Sequence, residues 1–520
     1  MADRRIKKVL IVGGGTAGWM SAAYLNKLLG STTEVTVLES STVVPIGVGE
    51  ATVPSLEWMM NFLGFPEKQW MPQVGATYKS AIRFVNWQKK TEKGETHAYW
   101  HPFPTRPERR ANADQYTSFP PIGEGYSLLH YALKRRLKGY KKSLCEQVLP
   151  TPHLCNAQRS PRNFDFPELD VRTAYHIDAG KFGGFLREQA IQRVVKHVIG
   201  HVEKVSLAGD GNIESVTTTD GRDFEAELFI DCTGFRSLLL QQTLGSKFLG
   251  DNERLLCDSA VAIPCKSNPE EDGINPYTTA TALDFGWVWD VPLFERSGCG
   301  YVYSSAFTTK EAAEAELRAF LGKRCEGQPA NHIKMRVGSA DQFWVKNCIG
   351  IGLSAAFLEP LESTGIFFIE YGLGLLARLI PNQGFHPAFV DQYNEEMRKT
   401  YDETRDFIIL HYLLNNREDT EFWRAARDPK IMTDTLRARL RYYQASLPVF
   451  DPQVFTIFRT FNYACILDGN DHLPKAPYPV LEHIGYDDGE KGLSEVAEQT
   501  KLLLKEMPSH YAALKQLYNN

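Results

Sequence analysis

Long apolar runs are missing from this sequence, and their absence excludes a membrane-spanning helix. The run nearest the N-terminus, Val9-Leu10-Ile11-Val12, stops at three glycines, too soon for a signal-peptide core. A cytoplasmic protein with no membrane partner is the expectation. Cysteine pairing signals are missing too: the nine cysteines stand apart, none in a C-x-x-C, which argues against a zinc site and against a disulfide framework. No metal is expected. Neither sign of charge dominates, since 58 Lys+Arg stand against 63 Asp+Glu for a net charge of −5, so the footprint of a nucleic-acid binder is absent. There is no internal repeat, no low-complexity tract and no second G-x-G-x-x-G.

What is present is length and alternation. At 520 residues the chain exceeds what one hydrophobic core usually supports, so two lobes or one large interleaved body are expected, with room to bury a large cofactor. Val9–Val12, Val35–Leu38 and Leu228–Ile230 read as buried parallel strands, while Ala17–Leu29 and Gly180–His197 carry helical apolar spacing. The class is therefore α/β. The stretch from Gln88 to Ala113 mixes charge, proline and aromatics and reads as a surface excursion. From about Pro387 onward strand-like runs become rare, and Phe389–Leu414 and Asp434–Ala445 are helical, which predicts a mostly helical C-terminal lobe.

The strand Val9–Val12 enters Gly13-Gly14-Gly15-Thr16-Ala17-Gly18, a G-x-G-x-x-G between a strand and a helix. Gly13 permits the tight turn, Gly15 lets backbone approach a pyrophosphate, and Gly18 allows close helix–strand packing. Thr16 and Ala17 open the helix whose N-terminus faces the phosphates. The second strand ends at Glu39, 39 − 18 = 21 residues past the last glycine, where an acidic side chain takes ribose hydroxyls. This fingerprint does not separate NAD from FAD. Leu228-Phe229-Ile230-Asp231-Cys232-Thr233-Gly234 resembles the second cofactor-contacting strand of flavoprotein monooxygenases, with Asp231 at its end, and Tyr175-His176-Ile177-Asp178 resembles that group's strand-to-helix segment. The resemblance favours FAD.

Four stretches resemble the flavin-dependent tryptophan halogenases. They are Gly13 to Met20, with Trp19 directly after the last glycine; Gly47-Val48-Gly49-Glu50-Ala51-Thr52; Trp287-Val288-Trp289-Asp290-Val291-Pro292, with Val291 where the family pattern has Ile; and Phe357 to Ile366. The likeness runs from Lys7 to beyond Trp423. It implies a Rossmann-type, flavoprotein-monooxygenase-like FAD-binding core over residues 1–385 and a mostly helical, substrate-covering lobe over 386–520. It also implies an oxidoreductase that uses FADH2, dioxygen and chloride or bromide to make hypohalous acid, which halogenates an indole ring.

On that resemblance Lys79 matches the catalytic lysine. An ammonium donates hydrogen bonds to hypohalous acid, or reacts to give a haloamine, and an unperturbed lysine is protonated at pH 7, so the second role requires burial. Glu362 matches the active-site glutamate, which polarises the oxidant or takes the ring proton; Glu359 is assigned to structure. Gly49 and Ala51 belong to a strap over the flavin, and Thr364 and Gly365 stand where a halide meets backbone amides, at the start of a helix running from Ile366 to Leu379. Trp287 and Trp289 wall the space between flavin and substrate, and His101 and Phe103 sandwich the indole. On residue types alone, Trp287 and Trp289 read equally as core aromatics.

The substrate wall departs from the free-tryptophan enzymes. Leu447 to Asn462 is short, with Gln453 where the family has a Glu and Phe458 where it has a Trp, and no tyrosine pair is in register. Asn462 closes this segment as a further substrate residue. Loss of a charged partner for the ammonium favours indole, or an indole compound larger than tryptophan, with free tryptophan as the alternative. A flavin-dependent aromatic monooxygenase is the competing class. Without a reductase module, reduced FAD is expected from a separate flavin reductase, by diffusion or transient contact. A dimer is the expected oligomer.

Overall fold

The computed structural model describes residues 4–42, 49–90, 94–104, 127–447, 457–477 and 487–519. By contacts the chain divides into two units. One comprises Met1–Ala76, Ile177–Asn252 and Met335–Asp402, the other Thr77–His176, Glu253–Lys334 and Glu403–Asn520. The sequence reading places one break near residue 385, whereas the chain passes repeatedly from one unit to the other and makes its last passage inside the helix Pro387–Leu414. Hydrophobic period marks where an element lies, not which elements share a core.

The first unit is built on a sheet whose strand Lys8–Val12 runs parallel to Leu228–Asp231 on one side and to Glu34–Glu39 on the other. Cys348–Gly350 and Lys196–Ile199 extend it in parallel at the two sides. Leu10, Val12, Leu38, Phe229 and Cys348 share one buried cluster, which is why these strands read as unbroken apolar runs. Helix Thr16–Leu29 follows the glycine turn, and helix Ala179–Gln192 begins after Asp178, whose carboxylate accepts the Lys181 amide at 3.1 Å. The helix expected over Gly180–His197 thus ends early. Val194 takes a positive φ of 67°, and Lys196–Ile199 becomes a strand beside Glu34–Glu39. Helical spacing continued through the β-branched pair Val194-Val195, but the chain turns there and the sheet edge offers the following Lys196–Ile199 a ladder that an isolated helix end does not.

The second unit holds a seven-stranded sheet in the order Asn331–Lys334, Ser259–Lys266, Arg296–Tyr303, Gly286–Pro292, Tyr277–Ala282, Ala81–Val85, Ala98–Pro102. Val261, Ile263, Val288, Cys299 and Tyr301 pack against Ala313, Leu317 and Leu321 of helix Lys310–Leu321. Strand side chains alternate, so Trp287 and Trp289 take the other face from Val288. Ala98–Pro102 corrects the reading of Gln88–Ala113 as surface. Tyr99, Trp100 and His101 are consecutive and all buried, so no period-2 pattern survived to announce a strand. Among the described residues no strand follows Ala356–Phe357, and Glu421–Ala426, Asp434–Ala445, Thr460–Gly469, Asp487–Glu506 and His510–Asn519 are helices. No helix among the described residues is long and apolar enough to cross a membrane.

Asp231 organises the end of its strand. One carboxylate oxygen accepts the Thr233 amide at 2.9 Å and the Thr233 hydroxyl at 2.6 Å, and the other accepts the amides of Leu239 and Leu240 at 2.8 and 2.9 Å. Burial pushes this carboxyl above the ordinary range, against the pull of those donors. Asp231→Ala strands four donors in a fully buried place. We expect a loss of at least about 3 kcal/mol in denaturant-unfolding stability; a loss under about 1 kcal/mol would show that solvent satisfies the turn instead.

Candidate active site

Two groups of side chains carry the predicted chemistry, one in each unit. In the first unit the fingerprint sits at the carboxyl end of the parallel strands. Register places Val12 beside Asp231, so the two cofactor-matching segments meet. A Cβ on Gly13 would stand 2.2 Å from the Cys232 carbonyl oxygen and one on Gly18 would stand 1.9 Å from the Gly13 carbonyl oxygen, so both positions exclude any side chain. Above Gly15 a Cβ would meet nothing within 4 Å. The first-turn amides at Thr16, Ala17 and Gly18 therefore face open space at a helix N-terminus, which fits a pyrophosphate. Glu39 lies against Gly14 and receives His197 Nε2 at 2.8 Å. His197 in turn meets the Trp19 ring edge-on at 5.0 Å. The tryptophan after the last glycine thus buttresses the acidic residue through a histidine that sequence reasoning left inside a helix.

The Phe357–Ile366 stretch folds as a short strand, the 3-10 turn Pro360–Glu362 and a reversal at Ser363, whose φ is 62°. Helix Gly365–Arg378 then starts with Thr364 as its cap, one residue before the predicted start. Glu359 and Glu362 are both buried, on opposite ends of the turn that Pro360 imposes. Gly49, Glu50 and Ala51 form a short strand; Gly47 and Val48 lie outside the described residues. Glu50 is the middle residue of that strand. A Cβ on Gly365 would come 3.0 Å from its Oε1, and burial pushes its carboxyl up to about 7. On the same helix Glu370 accepts the Ser55 hydroxyl, and burial raises it to about 8. Near neutral pH Glu370 thus keeps most of its proton and Glu50 about half, where water would leave both ionised.

In the second unit Lys79 ends the strand Thr77–Lys79, which pairs antiparallel with Ala174–His176. Its side chain is 0 % exposed, and its Nζ lies 5.1 Å from the centroid of the Phe103 ring. Such a cation–π contact gains strength when desolvated. Phe103 is placed by its amide, which donates to the Ser80 carbonyl at 2.9 Å. His101, opposite Ile82 in the neighbouring strand, stands 5.7 Å from the Phe407 ring and 6.3 Å from the Phe458 ring; the two phenylalanines stack at 4.0 Å. Asn462 donates from its amide nitrogen to His101 Nε2 at 2.8 Å, because its oxygen is taken by the Arg459 amide at 2.8 Å. The His101 ring hydrogen is then on Nδ1. His101, Phe458 and Asn462, far apart in sequence, are thus brought together; Gln453 lies outside the described residues.

Trp287 and Trp289 lie with ring centroids 6.4 Å apart. Opposite Trp289, a Cβ on Gly300 would fall 2.1 Å from the indole, so the glycine makes room for the ring. Among the described residues the Trp287 indole N–H has no hydrogen-bond partner.

A glycine turn at the ends of parallel strands in one unit, and a buried lysine with two tryptophans on one strand in the other, fit a dinucleotide-cofactor enzyme. The chain belongs to the tryptophan halogenase family, whose model matches residues 8–486, and it is a flavin-dependent halogenase. It is 36% identical to tryptophan 6-halogenase ThaL of Streptomyces albogriseolus, over 99% of each chain. It is 37% identical to tryptophan 7-halogenase RebH of Lentzea aerocolonigenes, over 98% of this chain and 99% of that one. The solved structure of Xcc4156, a flavin-dependent halogenase from Xanthomonas campestris, superposes with a TM-score of 0.88 at 31% identity, covering 99% of each chain.

The raised carboxyls make stability depend on pH. Below about pH 4.5 folded and unfolded chains both hold the Glu370 proton; as pH rises the unfolded chain loses it first, and stability falls until the folded group ionises near 8. The loss is on the order of 4 kcal/mol for Glu370, with Glu50 adding in the same direction. Unfolding followed between pH 5 and 9 should show Glu370→Gln less pH-sensitive than the parent and more stable than it at pH 9. Parallel curves for the two proteins would contradict the burial argument.

Proposed function

We propose that this enzyme halogenates an indole ring, carried by free indole or an indole compound larger than tryptophan, using FADH2 from a separate flavin reductase, dioxygen, and chloride or bromide. The observation that carries the reading is the complete burial of Lys79 beside the Phe103 ring, a placement rare for a residue type that is mostly exposed. Gly13, Gly15, Thr16, Ala17 and Gly18 hold the cofactor's pyrophosphate and Glu39 its ribose, while Asp231 acts through the turn it organises and Gly49 and Ala51 through the strap. When bound, reduced FAD supplies the two electrons with which dioxygen and halide yield hypohalous acid and water.

The chain's own residues do the rest. Thr364 and Gly365 offer helix-terminal amides to the halide. Trp287 and Trp289 keep substrate and cofactor apart while small molecules pass. Lys79 holds the oxidant by hydrogen bonding, or carries the halogen as a haloamine, and Glu362 accepts the proton that the ring releases. His101, Phe103 and Phe458 clamp the flat ring, with Asn462 setting the His101 ring, and the helices from residue 386 onward cover the substrate. Free tryptophan is the second reading, favoured by the similarity to ThaL and RebH, which are tryptophan halogenases.

Lys79→Ala should bind FAD as tightly as the parent and consume oxygen at a comparable rate, yet give less than about 1% of the halogenated product by mass spectrometry. More than a trace would remove Lys79 from the reaction. A competition between indole and tryptophan in one tube decides the substrate. A missing charged hydrogen bond is worth roughly 1.5–3 kcal/mol, so indole should win by about one to two decades in kcat/KM. A tenfold preference for tryptophan would establish the second reading.

A further inference from the structure

Behind Lys79 lies a chain of buried hydrogen bonds that the proposed mechanism does not use. Thr77 and His176 face each other across the antiparallel pair, and both are 0 % exposed. The Thr77 hydroxyl stands 2.5 Å from the Pro292 carbonyl oxygen and 3.0 Å from His176 Nδ1. A carbonyl has no hydrogen to give, so the single hydroxyl hydrogen goes to Pro292, and His176 Nδ1 must carry its own hydrogen toward Thr77. His176 Nε2 is then the lone-pair side of the ring, and it receives the Thr278 hydroxyl at 2.9 Å. One direction of donation therefore runs Thr278 to His176 to Thr77 to Pro292. It joins the lysine strand Thr77–Lys79 to the end of the Gly286–Pro292 strand, which carries Trp287 and Trp289.

The groups around the ring keep this direction fixed. Burial first, then the neighbouring Lys79 ammonium and His510, drive His176 well below the ordinary histidine range, so it stays neutral. His510 is locked as well. Its Nε2 accepts the Tyr78 amide at 3.3 Å and its Nδ1 donates to the Ile274 carbonyl at 3.0 Å, and burial lowers it to about 4. Two neutral histidines thus flank the lysine strand, one through the side chain of Thr77 and one through the backbone of Tyr78. A positive charge on either would repel the Lys79 ammonium.

We infer that His176 is a positioning residue for the halogenation step: through Thr77 it ties the lysine strand to the tryptophan-wall strand, so that Lys79 and the wall keep one spacing. This rests on the reading of Lys79 as the group that handles the oxidant. It touches neither oxidant nor substrate itself. Its loss should separate making the oxidant from using it, since a sub-ångström slip of a reacting group already costs rate.

The test uses the full-length protein with FAD, an added flavin reductase and bromide, with indole and tryptophan as probes, and reads product per oxygen consumed, kcat and KM. Thr77→Val keeps the volume and removes the hydroxyl. It should lower kcat and product per oxygen at least tenfold, with KM and FAD affinity within about twofold of the parent, and Thr77→Ser should restore kcat to within about threefold. Should Thr77→Val not fold, His176→Asn, whose amide still donates toward Thr77, should keep at least a third of the parent kcat, whereas His176→Gln, which loses that donor, should fall tenfold. Product per oxygen within twofold of the parent in Thr77→Val, or equal rates in the two histidine variants, would overturn the inference provided that Lys79→Ala is inactive. If Lys79→Ala itself makes product, the fault lies with the reading of Lys79 instead.

Discussion

Keeping an ammonium out of water is the constraint that shapes the second unit. Lys79 has no exposed surface, and desolvating a charged group carries a large penalty in a protein interior. The surroundings answer in kind. The Phe103 ring faces the Nζ, and the backbone of Lys79 is pinned by the Thr173 hydroxyl at 2.9 Å. The histidines behind the strand hold their ring hydrogens in directions that leave them uncharged. A buried, hydrogen-bonded polar lattice of this kind holds the lysine in one geometry, which loops at the surface do not provide.

The first unit is shaped by a different constraint, the close approach of a helix N-terminus to strand ends. Gly13 and Gly18 are squeezed so closely against backbone that the helix start is drawn up to the strand ends, while Gly15 is left clear. Asp231 gathers four donors of its own turn, and Glu39 is braced by His197 and Trp19. Burial raises two carboxyls at the Gly365–Arg378 helix. Glu50 reaches toward Gly365 and Glu370 sits one turn further along, and both are raised to where protonation persists near neutrality. Burial thus weakens the charge of the two carboxyls that this helix meets from the strand Gly49–Ala51 and from its own second turn.

Both units draw on segments distant in sequence, and this interleaving explains how the motifs come to act together. The strand Leu228–Asp231 lies beside Lys8–Val12 although more than two hundred residues separate them, and Asn462 reaches His101 across 361 residues. The grouping of His101, Phe458 and Asn462 is thus set by contacts between a sheet edge, Ala98–Pro102, and a helix that the chain adds much later.

By itself the sequence determined the local elements with strong chemistry: the strand, glycine turn and helix from Lys8 to Leu29, the break at Pro360 before the helix of Gly365, and Trp287 and Trp289 on one strand. These rest on short-range sterics and periodicity, which adjacent residues carry with them. Tertiary structure alone decided the rest. Lys196–Ile199 became a strand because a sheet edge was waiting, and Ala98–Pro102 did so with three consecutive buried aromatic rings that show no alternation. Glu50 and Glu370 acquired raised pKa values, and His176 and His510 lowered ones, because ionisation responds to the solvent and charges that folding takes away or brings near. Burial and long-range pairing are properties of the assembled chain, and no residue's identity encodes them alone.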